Sequence, residues 1–423
     1  MPKSDQGSEE QGRAALRAAL FVHRRAPLSR LLARRGLGPY RGYGELLEAL
    51  DRLADRGAQL SLIGRSVRGE PLLAVQLGAA APAGHHQERA DLSALPGQHG
   101  GSSGGGGSPQ RTGSPRRGGS PQRGGSSLNG APGPGAHHGV GATAGADDHA
   151  PDDAALAQPA ERAGPLDRRG PGGAGPRERA RTTVILSGIH PLEWIGVETH
   201  LALLERLAAE DLRGRSIFAV PIVNPDGLLR VEMNLRAGRR RYVRGNARGV
   251  DLNRNFDAGW YERGLVQRLV GLVSSPGSRP ASEPEVEAIA HALSSRRIDR
   301  ALSLHSAGGA VLYPPAHSLW PVADAAEHRA FALRVARAAD RRPYRAMSYV
   351  RFAWGIRKAG LEIDWLHDRH GALSLLVECS RGELGLRPSR LVEPFAWFNP
   401  RKLDDAAPQL VEAVLPFVKG ARA

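Results

Sequence analysis

Thr183-Val184-Ile185-Leu186-Ser187-Gly188-Ile189 runs directly into His190-Pro191-Leu192-Glu193-Trp194, and from there to residue 208 the apolar side chains recur at helical spacing. A short continuous apolar run closed by glycine reads as a buried strand, and the longer period that follows reads as a helix. Strand patterns recur at residues 60–64, 71–77, 216–223, 301–304 and 373–377, and helical patterns at 46–53, 283–293, 323–339 and 409–418. Asn224-Pro225-Asp226-Gly227 reads as a turn after the fourth strand. Strands alternating with helices predict an α/β fold, a mixed, mainly parallel central sheet with helices on both faces. In such sheets ligands bind beyond the carboxyl ends of the strands, which is where His190, His305 and Glu378 fall.

His190 and Glu193 stand three residues apart, so they share one face if a helix begins there, and Pro191 tolerates a first helical position. His305 follows Ala301-Leu302-Ser303-Leu304, a strand delivering its last residue to the sheet edge. Two histidines and one glutamate, with a fourth position open for water, form a well-attested catalytic zinc set, so these three predict one Zn2+ per chain. Singly each has a bland reading, because His-x-x-Glu strings arise by chance and many histidines are merely solvated. Leu373-Ser374-Leu375-Leu376-Val377-Glu378 places a lone carboxylate at the end of an apolar strand. Such a group is costly to bury unless it is paired, metal-associated or catalytic; capping of nearby amides is the structural alternative.

Residues 79–180 of the 423 contain no Phe, Trp, Tyr or Ile and carry the repeated Ser108-Pro109-Gln110-Arg111, Ser114-Pro115-Arg116-Arg117 and Ser120-Pro121-Gln122-Arg123. This composition reads as a disordered insertion, with His85-His86 and His137-His138 as solvated bystanders. Residues 1–40 read as an amino-terminal extension, and 41–78 with 181–423 as the folded domain. One cysteine, Cys379, excludes an intramolecular disulfide. The patch Ala18-Ala19-Leu20-Phe21-Val22 is too short for a signal-peptide core and no run suits a membrane span, so the expectation is a cytoplasmic protein without a membrane partner. The formal charge of +15 raises nucleic acid as a partner. Against it, the arginines are scattered, and the dense cluster Arg239-Arg240-Arg241 lacks the interleaved aromatics of a single-strand binder.

With these residues assembled, the chain resembles the zinc metallocarboxypeptidases of the carboxypeptidase A type. The resemblance rests on Ile63-Gly64-Arg65-Ser66 with Gly69, on His190-Pro191-Leu192-Glu193-Trp194-Ile195, on Asn224-Pro225-Asp226-Gly227, on Gly249-Val250-Asp251-Leu252-Asn253-Arg254-Asn255-Phe256, and on His305-Ser306 with Glu378. It implies zinc on His190, Glu193 and His305, with Glu378 as general base and then acid. It further implies that Asn253 and Arg254 bind the free carboxylate of a peptide or peptidoglycan-fragment substrate, and that Arg244, or alternatively Arg241, meets the oxyanion. Leu192 stands where the family commonly carries Arg, and the family's substrate-closing tyrosine has no counterpart before Ile363-Asp364-Trp365, since Tyr349 falls too early. The arginines before the carboxylate motif predict a preference for anionic substrates, while Glu362 and Asp364 would favour basic ones. Two other readings stand beside the peptidase: an acyl-amino-acid deacylase resembling aspartoacylases, and a non-catalytic binding protein on the same fold.

Overall fold

The computed structural model of the protein describes residues 3–24, 36–78, 180–262, 274–382 and 393–422. The chain divides into two units, residues 1–86 with 174–423 and residues 87–173, and every described residue belongs to the first. The low-complexity stretch, with its paired histidines, lies outside the described residues except for Ala180.

Eight strands among the described residues form one sheet: β1 (Gln59–Arg65), β2 (Pro71–Gly78), β3 (Thr182–Ser187), β4 (Ser216–Val220), β5 (Ile298–His305), β6 (Ala310–Tyr313), β7 (Arg345–Ser348) and β8 (Leu373–Glu378). Their order is β1-β2-β4-β3-β5-β8-β6-β7. The central strands β4, β3, β5 and β8 run parallel, whereas β1, β2 and β6 join antiparallel to their inner neighbours. The helices are α1 (Lys3–Arg24), α2 (Tyr43–Asp55), α3 (Trp194–Ala208), α4 (Pro225–Arg236), α5 (Pro284–Leu293), α6 (Ala325–Ala338), α7 (Tyr349–Phe352), α8 (Glu362–His370), α9 (Pro394–Phe398) and α10 (Leu403–Val418).

Both faces of the central strands are covered, which is why these strands read as continuous apolar runs. Ile185 of β3 joins a core with Leu16 of α1, Leu46 of α2, Leu201 of α3, Val335 of α6 and Leu410 of α10. Its neighbours Val184 and Leu186 point the other way, into a core with Ile289 of α5 and Leu366 of α8. Residues 3–24, read as part of an extension, form a helix whose Leu16 and Leu20 are buried in the first of these cores, against β1 and α2. Asn224-Pro225-Asp226-Gly227, read as a turn, opens α4: Asn224 Oδ1 accepts from Gly227 N at 2.9 Å, and Pro225 occupies the first helical position. No helix among the described residues is long and apolar enough to cross a membrane.

From β3 the chain passes through α3 to β4 on one side, while β5 lies on the other. The strand order therefore reverses between β3 and β5, and a crevice opens there beyond their carboxyl ends.

Gly78 and Thr182, which flank the low-complexity stretch, both pair with Ser216 on β4. Two strand spacings separate them, about 10 Å. Replacing residues 80–179 by a Gly/Ser linker of about eight residues, which spans roughly 15 Å on average, should thus leave the sheet closed. Thermal unfolding should remain cooperative with a midpoint within a few degrees of the full chain; a broad, non-cooperative transition would show that the stretch contributes to the fold.

Candidate metal centre and active site

His190 and Glu193 lie on a tight turn between β3 and α3, not within a helix: Glu193 N donates to His190 O at 3.2 Å, and helical geometry begins at Trp194. Buried side chains pin this turn. Trp194 Nε1 donates to Pro191 O at 2.8 Å, Asn224 Nδ2 to Ile189 O at 3.2 Å, and Asn399 Nδ2 to Leu192 O at 2.7 Å. The first turn of α3 lies against the end of β5, where a Cβ on Gly196 would stand 2.7 Å from Leu304 O. That contact, open only to glycine, brings His305 to the other two ligands.

His190 Nδ1 is 2.8 Å from Glu193 Oε1, His305 Nδ1 is 2.9 Å from Glu193 Oε2, and the two Nδ1 atoms are 3.2 Å apart. All three side chains are buried. Ligand atoms around a tetrahedral zinc, each at about 2.0–2.1 Å, stand about 3.3 Å from one another, so the donor set and its spacing fit that ion. The far nitrogens are also arranged for it. His190 Nε2 lies 3.1 Å from Asp251 Oδ1, and His305 Nε2 lies 2.9 Å from Glu362 Oε1. An ionised carboxylate only accepts, so a neutral histidine that gives its Nδ1 lone pair to a metal keeps its hydrogen on Nε2, toward the carboxylate behind it.

Asp251, only 1% exposed, gathers the site. Besides His190 it accepts from Arg244 Nε at 2.6 Å, Ser274 Oγ at 2.6 Å and Asn253 N at 3.1 Å. Burial pushes its carboxyl up, but Arg244, His190 and Arg254 hold it well below the usual range. The sequence motif contains Asp251, yet no role for it was expected; a carboxylate fated for burial between a histidine ligand and an arginine was the available signal. Arg244 thereby shares Asp251 with His190, whereas Arg239, Arg240 and the exposed Arg241 line a separate pocket of about 260 Å3 with Leu192 and Phe395. Arg240 pairs with Glu393 there.

Asn253 Oδ1 accepts from Glu362 N at 3.2 Å, tying the motif to the start of α8. Arg254 is half-buried, and Gly360 (φ +78°) rests on its backbone, where a Cβ would approach Arg254 O to 2.2 Å. Two residues earlier on this segment comes Lys358, a cation the sequence reading overlooked. Burial, then the positive charges of Arg254 and Arg244, push its ammonium below the ordinary range. Glu362 and Asp364 do not form an acidic pocket: both are fully buried, and Asp364 accepts from the backbone N–H groups of Ala316 and His317. Tyr349 packs against the cluster of Leu312, Leu361 and Ile363, while the exposed aromatic of this loop is Trp354.

Glu378 is the strand partner of His305 across the parallel β5–β8 pair, so the candidate base stands beside a candidate metal ligand by register. Its Oε2 meets no donor among the described residues. Burial, reinforced by the charge of Glu193, pushes this carboxyl up to about 7. Burial would raise Glu193 as well, but His190 and His305 hold it down at about 2.

The model of the zinc carboxypeptidase family matches residues 165–394, more than half of the chain. The chain belongs to the zinc carboxypeptidase family. It is 30% identical over 141 residues to carboxypeptidase O of Bos taurus, covering 30% of this chain and 37% of that protein. To carboxypeptidase A6 of Homo sapiens it is 26% identical over 249 residues, covering 52% and 54%. The chain thus spans about a third to a half of the curated relatives it matches. Among solved structures it is similar to bovine thrombin-activatable fibrinolysis inhibitor in complex with tick carboxypeptidase inhibitor, with a TM-score of 0.53 and 16% identity over 90% of this chain and 96% of that one. Carboxypeptidase A from Helicoverpa armigera gives a TM-score of 0.51 at 16% identity, over 93% and 82%. These structural likenesses establish the fold.

A second cluster, Asp324, His328 and His367, also brings three potential ligand atoms together. Its chemistry is opposite to that of the His190, Glu193 and His305 cluster. His328 Nε2 accepts from Ser374 N at 3.0 Å, so neutral His328 carries its hydrogen on Nδ1, directed at Asp324 O 3.2 Å away. No lone pair is left there for a metal. The comparison shows that clustering is insufficient and that the partner behind each histidine decides.

The metal-free centre should weaken the fold as pH rises. Glu378 binds its proton more tightly folded, at about 7, than at its ordinary 4.5. Stability is therefore lost between those values as pH increases, by about 3 kcal/mol at most. Burial alone would lower His305, but Glu193 and Glu362 raise it well above 6.5, so its contribution is present below 6.5 and lost at higher pH. Glu193 acts only in acid, losing stability as pH falls from 4.5 towards 2. In chelator, the melting temperature should fall from pH 5 to pH 8, and Glu378→Gln should flatten the part between pH 5 and 7. Parallel profiles for the two proteins would remove Glu378 as the cause.

Proposed function

We propose that this chain is a zinc-dependent carboxypeptidase that hydrolyses the terminal amide bond of a peptide bearing a free carboxylate. The observation that carries the reading is the convergence of His190 Nδ1, His305 Nδ1 and Glu193, each histidine backed by a carboxylate, with Glu378 as the strand partner of His305. His190, Glu193 and His305 would hold one Zn2+, which supplies Lewis acidity to the scissile carbonyl and to the attacking water.

The protein groups divide the remaining work. Glu378 takes the proton of the attacking water and passes it to the departing amine nitrogen. Its place as strand partner of His305, with Oε2 unmet by any donor among the described residues, suits it to both halves of that transfer. Arg254 and Asn253 bind the substrate carboxylate, the guanidinium fork matching its two oxygens. Arg244, anchored through Nε by Asp251, turns its remaining N–H groups to the negative charge that develops on the carbonyl oxygen. Arg244, Arg254 and Lys358 outnumber Asp251 on this side of the centre, which favours an anionic terminus over an uncapped amine.

Metal analysis of the purified protein should give one zinc per chain, and His305→Ala should remove it together with release of carboxyl-terminal residues from a peptide mixture. Glu378→Gln should keep the zinc and lower kcat by about 10²–10⁴-fold. Arg254→Met should act mainly on KM, lowering kcat/KM by about 10–100-fold, the scale of a lost charge-assisted contact. Internal cleavage of peptides blocked at the carboxyl terminus, at the same rate as free ones, would sink the carboxypeptidase reading.

A further inference from the structure

The first turn of α8 carries two fully buried acids, Glu362 and Asp364, and the fold uses them differently. Acids in a first helical turn are commonly explained by the helix dipole and its free N–H groups. Asp364 fits a structural role of that kind: Oδ2 accepts from Ala316 N at 2.9 Å, from His317 N at 2.9 Å and from His317 Nδ1 at 2.6 Å, holding the 316–317 loop. Glu362 does not. Its Oε1 takes His305 Nε2 at 2.9 Å, and its Oε2 meets no donor among the described residues. A buried carboxylate with one oxygen unmet destabilises a fold, so its presence calls for a task elsewhere.

The backbone shows how it is aimed. Glu362 N donates to Asn253 Oδ1 at 3.2 Å, so the carboxylate motif fixes the start of α8 and with it the side chain behind His305. His190 has the equivalent partner in Asp251, which comes from the motif itself. The two histidines are thus backed from two different segments, by two carboxylates on the sides opposite Glu193.

Resting on the zinc reading above, we propose that Glu362 is a positioning residue of the metal centre: it fixes the hydrogen of His305 on Nε2, presents Nδ1 to the metal, and tightens zinc binding through its negative charge. Backing partners of this kind raise ligand basicity, and their loss typically weakens metal affinity by about 10–100-fold.

The test compares Glu362→Gln, Glu362→Leu and Asp364→Asn in the full chain. Zinc affinity is measured by competition with a chromophoric chelator, and the d–d spectrum is recorded after cobalt substitution. Gln keeps an acceptor without the charge and should bind zinc about 10-fold more weakly; Leu removes both and should lose about 100-fold. The cobalt spectrum should shift in both. Asp364→Asn should lower the melting temperature while leaving zinc affinity and the cobalt spectrum as in wild type, a separation that a merely structural role for Glu362 would not produce. Should Glu362→Leu not fold, the near-isosteric Gln variant still decides. Unchanged zinc affinity in Glu362→Gln and Glu362→Leu, or an equal loss in Asp364→Asn, overturns the role of Glu362 alone. A wild-type protein that takes up no zinc overturns the zinc reading and this role together.

Discussion

Burial of the Asp251 carboxylate is the constraint on which the site depends. An ionised carboxylate withdrawn from water must be met on nearly all sides, and Asp251 is met by donors from the turn after β3, from the loop holding Arg244, from its own motif and from Ser274. Each of those segments is placed by satisfying it. In return the carboxylate engages His190 Nε2 and anchors Arg244 through Nε, so one buried charge aligns a candidate metal ligand with a candidate oxyanion donor. Fold and chemistry share the same hydrogen bonds here.

The second determinant is strand register. Parallel pairing of β5 with β8 sets His305 opposite Glu378, and the glycine contact at the start of α3 draws Glu193 towards both. The outcome is a buried group of four carboxylates, Asp251, Glu193, Glu362 and Glu378, with Arg244, Arg254 and Lys358 concentrated on one side. Burial alone would lower His305 and raise Glu193, but the charge of Glu193 holds His305 up, and the two histidines hold Glu193 down. A metal bound at Nδ1 would compete with a proton there, which makes occupancy of the centre and its protonation opposing states of one site.

Two groups of basic residues near the centre are separate from each other. Arg244, Arg254 and Lys358 face the metal side, while Arg239, Arg240 and Arg241 line a pocket walled by Leu192 and Phe395 and are partly offset by Glu393. Leu192, standing where the family commonly carries arginine, turns its side chain into that apolar wall. The arginine run is thus spatially apart from the basic group beside Arg254.

Local sequence was enough for the central strands and for placing His190, His305 and Glu378 at their carboxyl ends, because buried parallel strands are continuous apolar runs and a histidine or carboxylate stands out where such a run stops. It was not enough for α4, since Asn224-Pro225-Asp226-Gly227 has the composition of a turn and only the helix that follows makes it a cap. Nor could it place α1, whose small apolar stripe acquires meaning only against β1. The partners behind the histidines were decided by tertiary structure alone: Asp251 is 61 residues from His190, and Glu362 is 57 from His305. Nothing local distinguishes Glu362, spent on His305, from Asp364, spent on backbone amides two residues later. Hydrogen bonds between distant segments have no period and no spacing, so they exist in the chain only once it is folded.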